Sequence, residues 1–142
     1  MSRNLFLRAS SSGALLVEVV LMIGCGGDSG PTRYEVSGTV TYQGQPVPKG
    51  FVTFSPDTSQ GNSGPGGGAE IVDGHYETAA GKGVIGGPHQ VRIVGYDGIP
   101  ISMEGEELTD GQPLFTPYIT TIDFPTEDST QDFTIPSGDG GG

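Results

Sequence analysis

Short runs of β-branched and aromatic residues alternate with polar ones between positions 35 and 135, and turn formers separate the runs. In residues 35–42, Val36, Val40 and Tyr42 fall on one face, and Glu35, Ser37, Thr39 and Thr41 on the other. That period of two predicts a strand with one wet face. Residues 43–50 hold Gly44, Pro46, Pro48 and Gly50 and read as a turn. A second strand is predicted over 51–55 and ends at Pro56. Residues 56–68 are rich in Gly, Ser and Pro and lack apolar side chains, which predicts a long mobile loop. Asp73 and Gly74 sit between the β-prone runs 69–72 and 75–78. An Asp-Gly pair in that setting predicts a hairpin, because a type I′ turn needs positive φ at both central residues. A glycine-broken connection, 81–88, leads to a strand over 89–96 with Val91 and Ile93 on one face. Residues 97–117 read as irregular and acidic, and strands over 118–124 and 131–135 follow.

No helical period is sustained beyond the N-terminal region, so the pattern predicts an all-β domain. About seven short strands with one apolar face each can bury those faces by packing two antiparallel sheets together, a seven-stranded β-sandwich. A partly open barrel is the alternative. The 142-residue length fits one such domain. Glycine (26) and proline (11) supply about a quarter of the chain, concentrated in the loops and the tail 137–142, so the strands keep a normal core composition.

The N-terminus has a different pattern. Arg3 and Arg8 precede an apolar run over 14–24, interrupted only by Glu18. About eleven residues is the length of an export signal; spanning a bilayer takes about 20. The run ends at Cys25, the only cysteine, so an internal disulfide is excluded. The stretch LMIGC at 21–25, followed by polar, flexible residues 26–32, resembles a lipobox. The resemblance implies a diacylglycerol on the Cys25 thiol, cleavage after Gly24, further acyl chains such as palmitate, and attachment to a membrane. Gly13 and Glu18 also resemble a prepilin cleavage pattern, but the apolar run is about half what a pilin helix requires. The predicted organisation is a signal peptide over 1–24, a lipidated tether over 25–33, a β domain over 34–136 and a Gly-rich tail over 137–142.

Charge narrows the partners. The net charge is −11, and Arg3, Arg8 and Glu18 contribute +1, so the remainder carries about −12. Arg33, Lys49, Lys82 and Arg92 are its only cations, and they are scattered. Phosphate backbones are bound by clustered cations, so nucleic acid is not expected as a partner. The glycines of 56–68 lack the Lys-Ser/Thr ending and following helix of a phosphate loop.

Candidate chemistry is sparse. His75 and His89 are the two histidines, and neither a Ser-His-Asp order nor a His-x-x-x-His spacing accompanies them. Both read as strand residues. Glu104, Glu106, Glu107 and Asp110 cluster, but the spacing fits no EF-hand and predicts a solvated acidic loop. Asp57, Asp97, Asp123 and Asp128 read the same way. Tyr42, Tyr76, Tyr96 and Tyr118 fall on predicted strands and read as packing residues with a wet hydroxyl. Accordingly, no catalytic residue, metal site or cofactor is expected, and Cys25 is the one assigned site.

The stretch VSGTVTYQGQPVPKGFVTF at 36–54 resembles the opening of carboxypeptidase regulatory-like, or transthyretin-like, β-sandwich domains. GKG at 81–83, DGHY at 73–76 and GPHQVRI at 87–93 resemble their later hairpin and strand. Over about 25–136, lipobox included, the chain is similar to small lipoproteins of planctomycete bacteria. The resemblance implies a non-catalytic domain at the cell envelope. The expected role is structural or protein-interacting, with a small-molecule or carbohydrate-binding module as the alternative, and the expected partner is an envelope protein or a glycan. A related hydroxyisourate-hydrolysing branch ends in Tyr-Arg-Gly-Ser, where this chain ends in Asp-Gly-Gly-Gly.

Overall fold

The computed structural model describes residues 30–138. Cys25, the predicted signal peptide and the last four residues of the tail lie outside them. The described residues form eleven strands: β1 Val36–Tyr42, β2 Gln45–Pro46, β3 Lys49–Pro56, β4 Gly67–Val72, β5 His75–Glu77, β6 Gly87–Tyr96, β7 Ile101–Met103, β8 Glu106–Leu108, β9 Tyr118–Phe124, β10 Ser129–Thr130 and β11 Phe133–Ile135. The one helical element among them is a single 3-10 turn, Thr58–Gln60. The all-β expectation therefore holds.

The main sheet has the order β10-β1-β5-β4-β3-β6-β9, with β2 and β11 also paired to β1. Most ladders are antiparallel, and the longest joins β3 to β6 from Lys49↔Tyr96 to Pro56↔His89. The closing strands differ from the antiparallel expectation: β10 and β11 both run parallel to β1. The reason is topological. The chain leaves β9 at one end of the sheet and joins β1 at the other through only residues 125–128. Laid flat, six strand steps of about 4.8 Å would separate those ends by about 29 Å. The five Cα–Cα steps from Phe124 to Ser129 reach about 17 Å at most. The sheet must curl, bringing its first and last strands close together.

The curl encloses one core. Val36, Val40, Val52, Phe54, Ile71, Val91 and Ile93 are fully buried, each at an inward position of its strand. An aromatic chain runs through the interior: His89 meets Phe124 edge-on at 5.4 Å, and Phe124 meets Phe54 edge-on at 5.4 Å. Tyr76 continues it, 6.2 Å from Phe54 and 6.1 Å from Phe133. These rings come from β6, β9, β3, β5 and β11, so the chain ties opposite walls together. Each such pair adds about 0.5–1.5 kcal/mol beyond its burial.

Three regions read as irregular from sequence carry structure. Gln43 and Gly44, both at positive φ, turn β1 into β2. The turn delivers Val47 into the core at 0% exposure, although prolines flank it. The loop 56–68 is pinned. The Asp57 carboxylate accepts from Ser59 N–H and Gln60 Nε2, and Asn62 Nδ2 donates to the Gly86 and Pro88 carbonyls. Residues 97–117 contain the β7–β8 hairpin, which is separate from the main sheet. At the other end of the fold, Arg33, the last residue of the predicted tether, already donates to the carbonyls of Gly83 and Gly66.

Candidate interaction surfaces

The two histidines occupy opposite environments. His75 is exposed on β5 opposite Thr39, whereas His89 is fully buried on β6. Three strand steps separate them in the sheet order. The His89 ring is held from both sides: Nδ1 donates to the Gly87 carbonyl at 2.9 Å, and Nε2 accepts from Ile85 N–H at 3.5 Å. With both ring nitrogens engaged by backbone and its edge on Phe124, His89 acts as a core residue.

The carboxylates disperse into local tasks. Asp57 caps the 3-10 turn, and the hydrogen bonds from Ser59 and Gln60 hold its carboxyl below the usual value. Asp128 accepts from Glu35 N–H, while Asp97 accepts from the N–H groups of Ile99 and Gln112. Asp123 is exposed on β9. Among the described residues no three His, Cys, Asp or Glu side chains converge as a metal site would require. Ser129 Oγ is the one buried side-chain polar atom among them without a partner.

Of the four strand tyrosines, Tyr76 is buried. Its hydroxyl donates to the Gln131 carbonyl, and burial, then nearby Asp132, pushes its pKa far above the usual value. Tyr42 and Tyr118 come together at one end of the fold. With Phe115, Ile119, Ile135 and Pro136 they line a cleft of about 400 Å³ between the start of β9 and the end of β11. The Tyr42 and Phe115 rings are 5.1 Å apart and tilted by 51°. Among the described residues β9 pairs only with β6 and β11 only with β1, so each keeps an unpaired edge.

The second surface is the β7–β8 hairpin. Glu104 (φ 52°) and Gly105 (φ 85°) form its turn, and the register Ile101↔Leu108, Ser102↔Glu107, Met103↔Glu106 fixes its faces. Side chains alternate along a strand and paired residues share a face, so Ile101, Met103 and Leu108 fall on one face, together with Glu106. Ile99 is 64%, Met103 56% and Leu108 43% exposed. The base is firm. Besides the two bonds to Asp97, Asp97 N–H donates to Gln112 O and Gly98 N–H to Asp110 O. Lys49 Nζ lies 3.6 Å from Asp110.

No family model matches the chain, and neither does any curated protein or solved structure. The surface must therefore speak through its chemistry. All four acidic side chains noted in the sequence, Glu104, Glu106, Glu107 and Asp110, are exposed on or beside this hairpin. The acidic spacing predicts a solvated loop here; the structure instead forms a hairpin with an apolar face. The signal was the alternation Ile101, Ser102, Met103 ahead of Glu104 and Gly105; glutamate seldom adopts positive φ, which hid the turn.

Proposed function

We propose that the chain is a lipid-anchored envelope protein whose β domain is a non-catalytic interaction module, with the β7–β8 hairpin as its docking surface. The observation that carries the proposal is the exposed apolar face of that hairpin. Three of the six large exposed apolar side chains among the described residues fall within residues 99–108. Apolar side chains gathered on one exposed hairpin mark an interaction site more often than singly scattered ones do. Its base is fixed, so little ordering entropy opposes docking. In this reading, acyl chains on Cys25 hold the domain at a membrane, facing the periplasm or the exterior. The tether is short, since Arg33 is bonded into the fold eight residues after Cys25. Two buried acyl signals anchor stably where one binds only marginally.

The finer fold assignment belongs to the same proposal. A prealbumin-like sandwich is supported by the divergence of β4 and β5, which share the register pair Val72↔His75 alone. Beyond that pair the hairpin opens, and Phe54 and Tyr76 face each other across the interior.

The test has two parts. Cys25→Ser is expected to move the protein from the membrane to the soluble envelope fraction; retention in the membrane would defeat the anchoring claim. A photo-reactive residue at Leu108 is expected to give a discrete crosslink in intact envelopes, lost on Met103→Ser, whereas one at Thr121 on β9 gives none. A crosslink from Thr121 and none from Leu108 would move the docking surface elsewhere.

A second reading has its own observation. The cleft at Tyr42, Phe115 and Tyr118 offers aromatic faces and two hydroxyls, the combination that stacks on and hydrogen-bonds a sugar ring. Calorimetric titration with envelope glycan fragments tests it: binding abolished by Tyr118→Ala and untouched by Met103→Ser would favour a glycan module.

A further inference from the structure

We infer that the partner of the β7–β8 hairpin is a cationic amphipathic polypeptide segment, one that sets apolar side chains against Ile101, Met103 and Leu108 and lysines or arginines against the surrounding carboxylates. This rests on the reading of the hairpin as the docking surface.

The inference starts from what surrounds the apolar face. Residues 99–112 contain four carboxylates and no Lys, Arg or His. The register places Glu106 on the apolar face itself, directly across from Met103. Glu104 stands at the tip and Glu107 on the reverse side, across from Ser102. Asp110 at the base has the cation Lys49 at 3.6 Å, so three exposed carboxylates have no ion pair among the described residues. Like charges this close repel one another, and an opposite charge within about a Debye length of 10 Å relieves that repulsion.

The same charges rule against other occupants. A second copy would bring eight hairpin carboxylates together on proteins that already carry −11 each. An anionic lipid surface repels the hairpin in the same way. A neutral apolar segment could cover Met103 and Leu108 but would strip water from Glu106 without pairing it, which is costly. A segment bearing both lysines and apolar side chains meets both demands. Either an extended strand laid on the hairpin edge or an amphipathic helix on its face supplies that chemistry.

The chain has no tryptophan, so a tryptophan-tagged probe reports binding without background. Three nine-residue probes of alternating Leu and a second residue, Lys, Ser or Glu, are titrated by fluorescence anisotropy into the full chain carrying Cys25→Ser. The Lys probe is expected to bind at least ten-fold more tightly than the Ser probe, and the Glu probe not at all. Met103→Ser with Leu108→Ser should weaken the Lys probe ten-fold or more. Glu106→Gln with Glu107→Gln should weaken it and flatten its salt dependence. Phe51→Ser, which removes an exposed apolar side chain on β3, is the control and should stay within two-fold. Urea melts matching the parent show that the hairpin variants fold. Equal binding of the Lys and Ser probes, lost on Met103→Ser with Leu108→Ser, would overturn the cationic partner and leave the docking surface standing. Binding that ignores the hairpin substitutions, or falls as much with the Phe51→Ser control, would overturn both, as would no binding by any probe.

Discussion

The β4–β5 and β7–β8 hairpins both turn through two residues of positive φ: Asp73 and Gly74 at 49° and 78°, Glu104 and Gly105 at 52° and 85°. Their surroundings differ. The first places Ala69, Ile71 and Tyr76 in the core, and Gly74 lies against Pro46, where an added Cβ would come within 2.6 Å of the proline Cβ. The second buries none of its strand residues, and a Cβ on Gly105 would meet nothing within 4 Å. An isolated two-stranded hairpin is marginal in water, and this one depends on the Asp97 clasp at its base. Turn chemistry decides that a hairpin forms. What its inward side chains touch decides whether it serves as scaffold or as surface.

Substituting the two turn glycines puts the greatest strain on this contrast. Gly74→Val combines a disfavoured φ with a clash against Pro46 and should cost about 3 kcal/mol in a urea melt. Gly105→Val meets the same backbone penalty but can escape it by opening the hairpin alone. It should lower global stability by under about 1 kcal/mol while abolishing amide protection in β7 and β8. Equal global losses would end the distinction.

The histidines sharpen the same contrast. His89→Ala leaves a cavity beside Phe124 and orphans the Ile85 N–H and Gly87 carbonyl, so a loss of about 2–4 kcal/mol is expected. His75→Ala, on the exposed face of β5, should stay within about 0.5 kcal/mol. Tyr76→Phe removes one buried hydrogen bond, worth about 1 kcal/mol at neutral pH. Burial keeps the folded Tyr76 protonated where the unfolded chain ionises, above about pH 10. Its contribution is therefore complete below pH 10 and declines as pH rises further. Tyr76→Phe should remove that part of the alkaline decline, as read from melts between pH 9 and 11. The smallest effect belongs to the acidic hairpin. Millimolar Ca2+ should shift the melting temperature by less than about 1 °C, whereas a site of about 10 μM affinity would add about 2.7 kcal/mol at 1 mM.

The legible parts of the sequence were those where local pattern and tertiary environment agree. The alternation over 35–42, the strand over 89–96 and the Asp73-Gly74 turn all lie in the curled sheet, where one wet face and one dry face write a period of two. Val47 was not legible: prolines on both sides announce a turn, and only the packed fold shows that the turn delivers a core residue. The parallel pairing of β10 and β11 was hidden for another reason. Residues 129–135 look like any closing strand, and their partner, about 93 positions earlier, is set by the short link from β9. At the candidate surface the carboxylates were visible in the sequence, while the apolar face was not. Ile101, Met103 and Leu108 form a face only once the register aligns them.

The parallel placement of β10 and β11 beside β1 has a mechanical consequence. The chain enters β1 at Val36 and leaves β11 after Ile135, which is paired with Tyr42 at the far end of β1. A pull between an anchored N-terminus and a load at the C-terminus would slide these strands along one another, so their register pairs share the force. A pull on Thr121 of β9, bonded on one side only, would peel its ladder from β6 one pair at a time. Single-molecule extension through the termini should therefore rupture at a higher force than extension through Thr121, and the reverse order would show that the β1–β11 ladder does not bear the load. Under the proposed anchoring through Cys25, tension between the termini would load the β1–β11 ladder in shear.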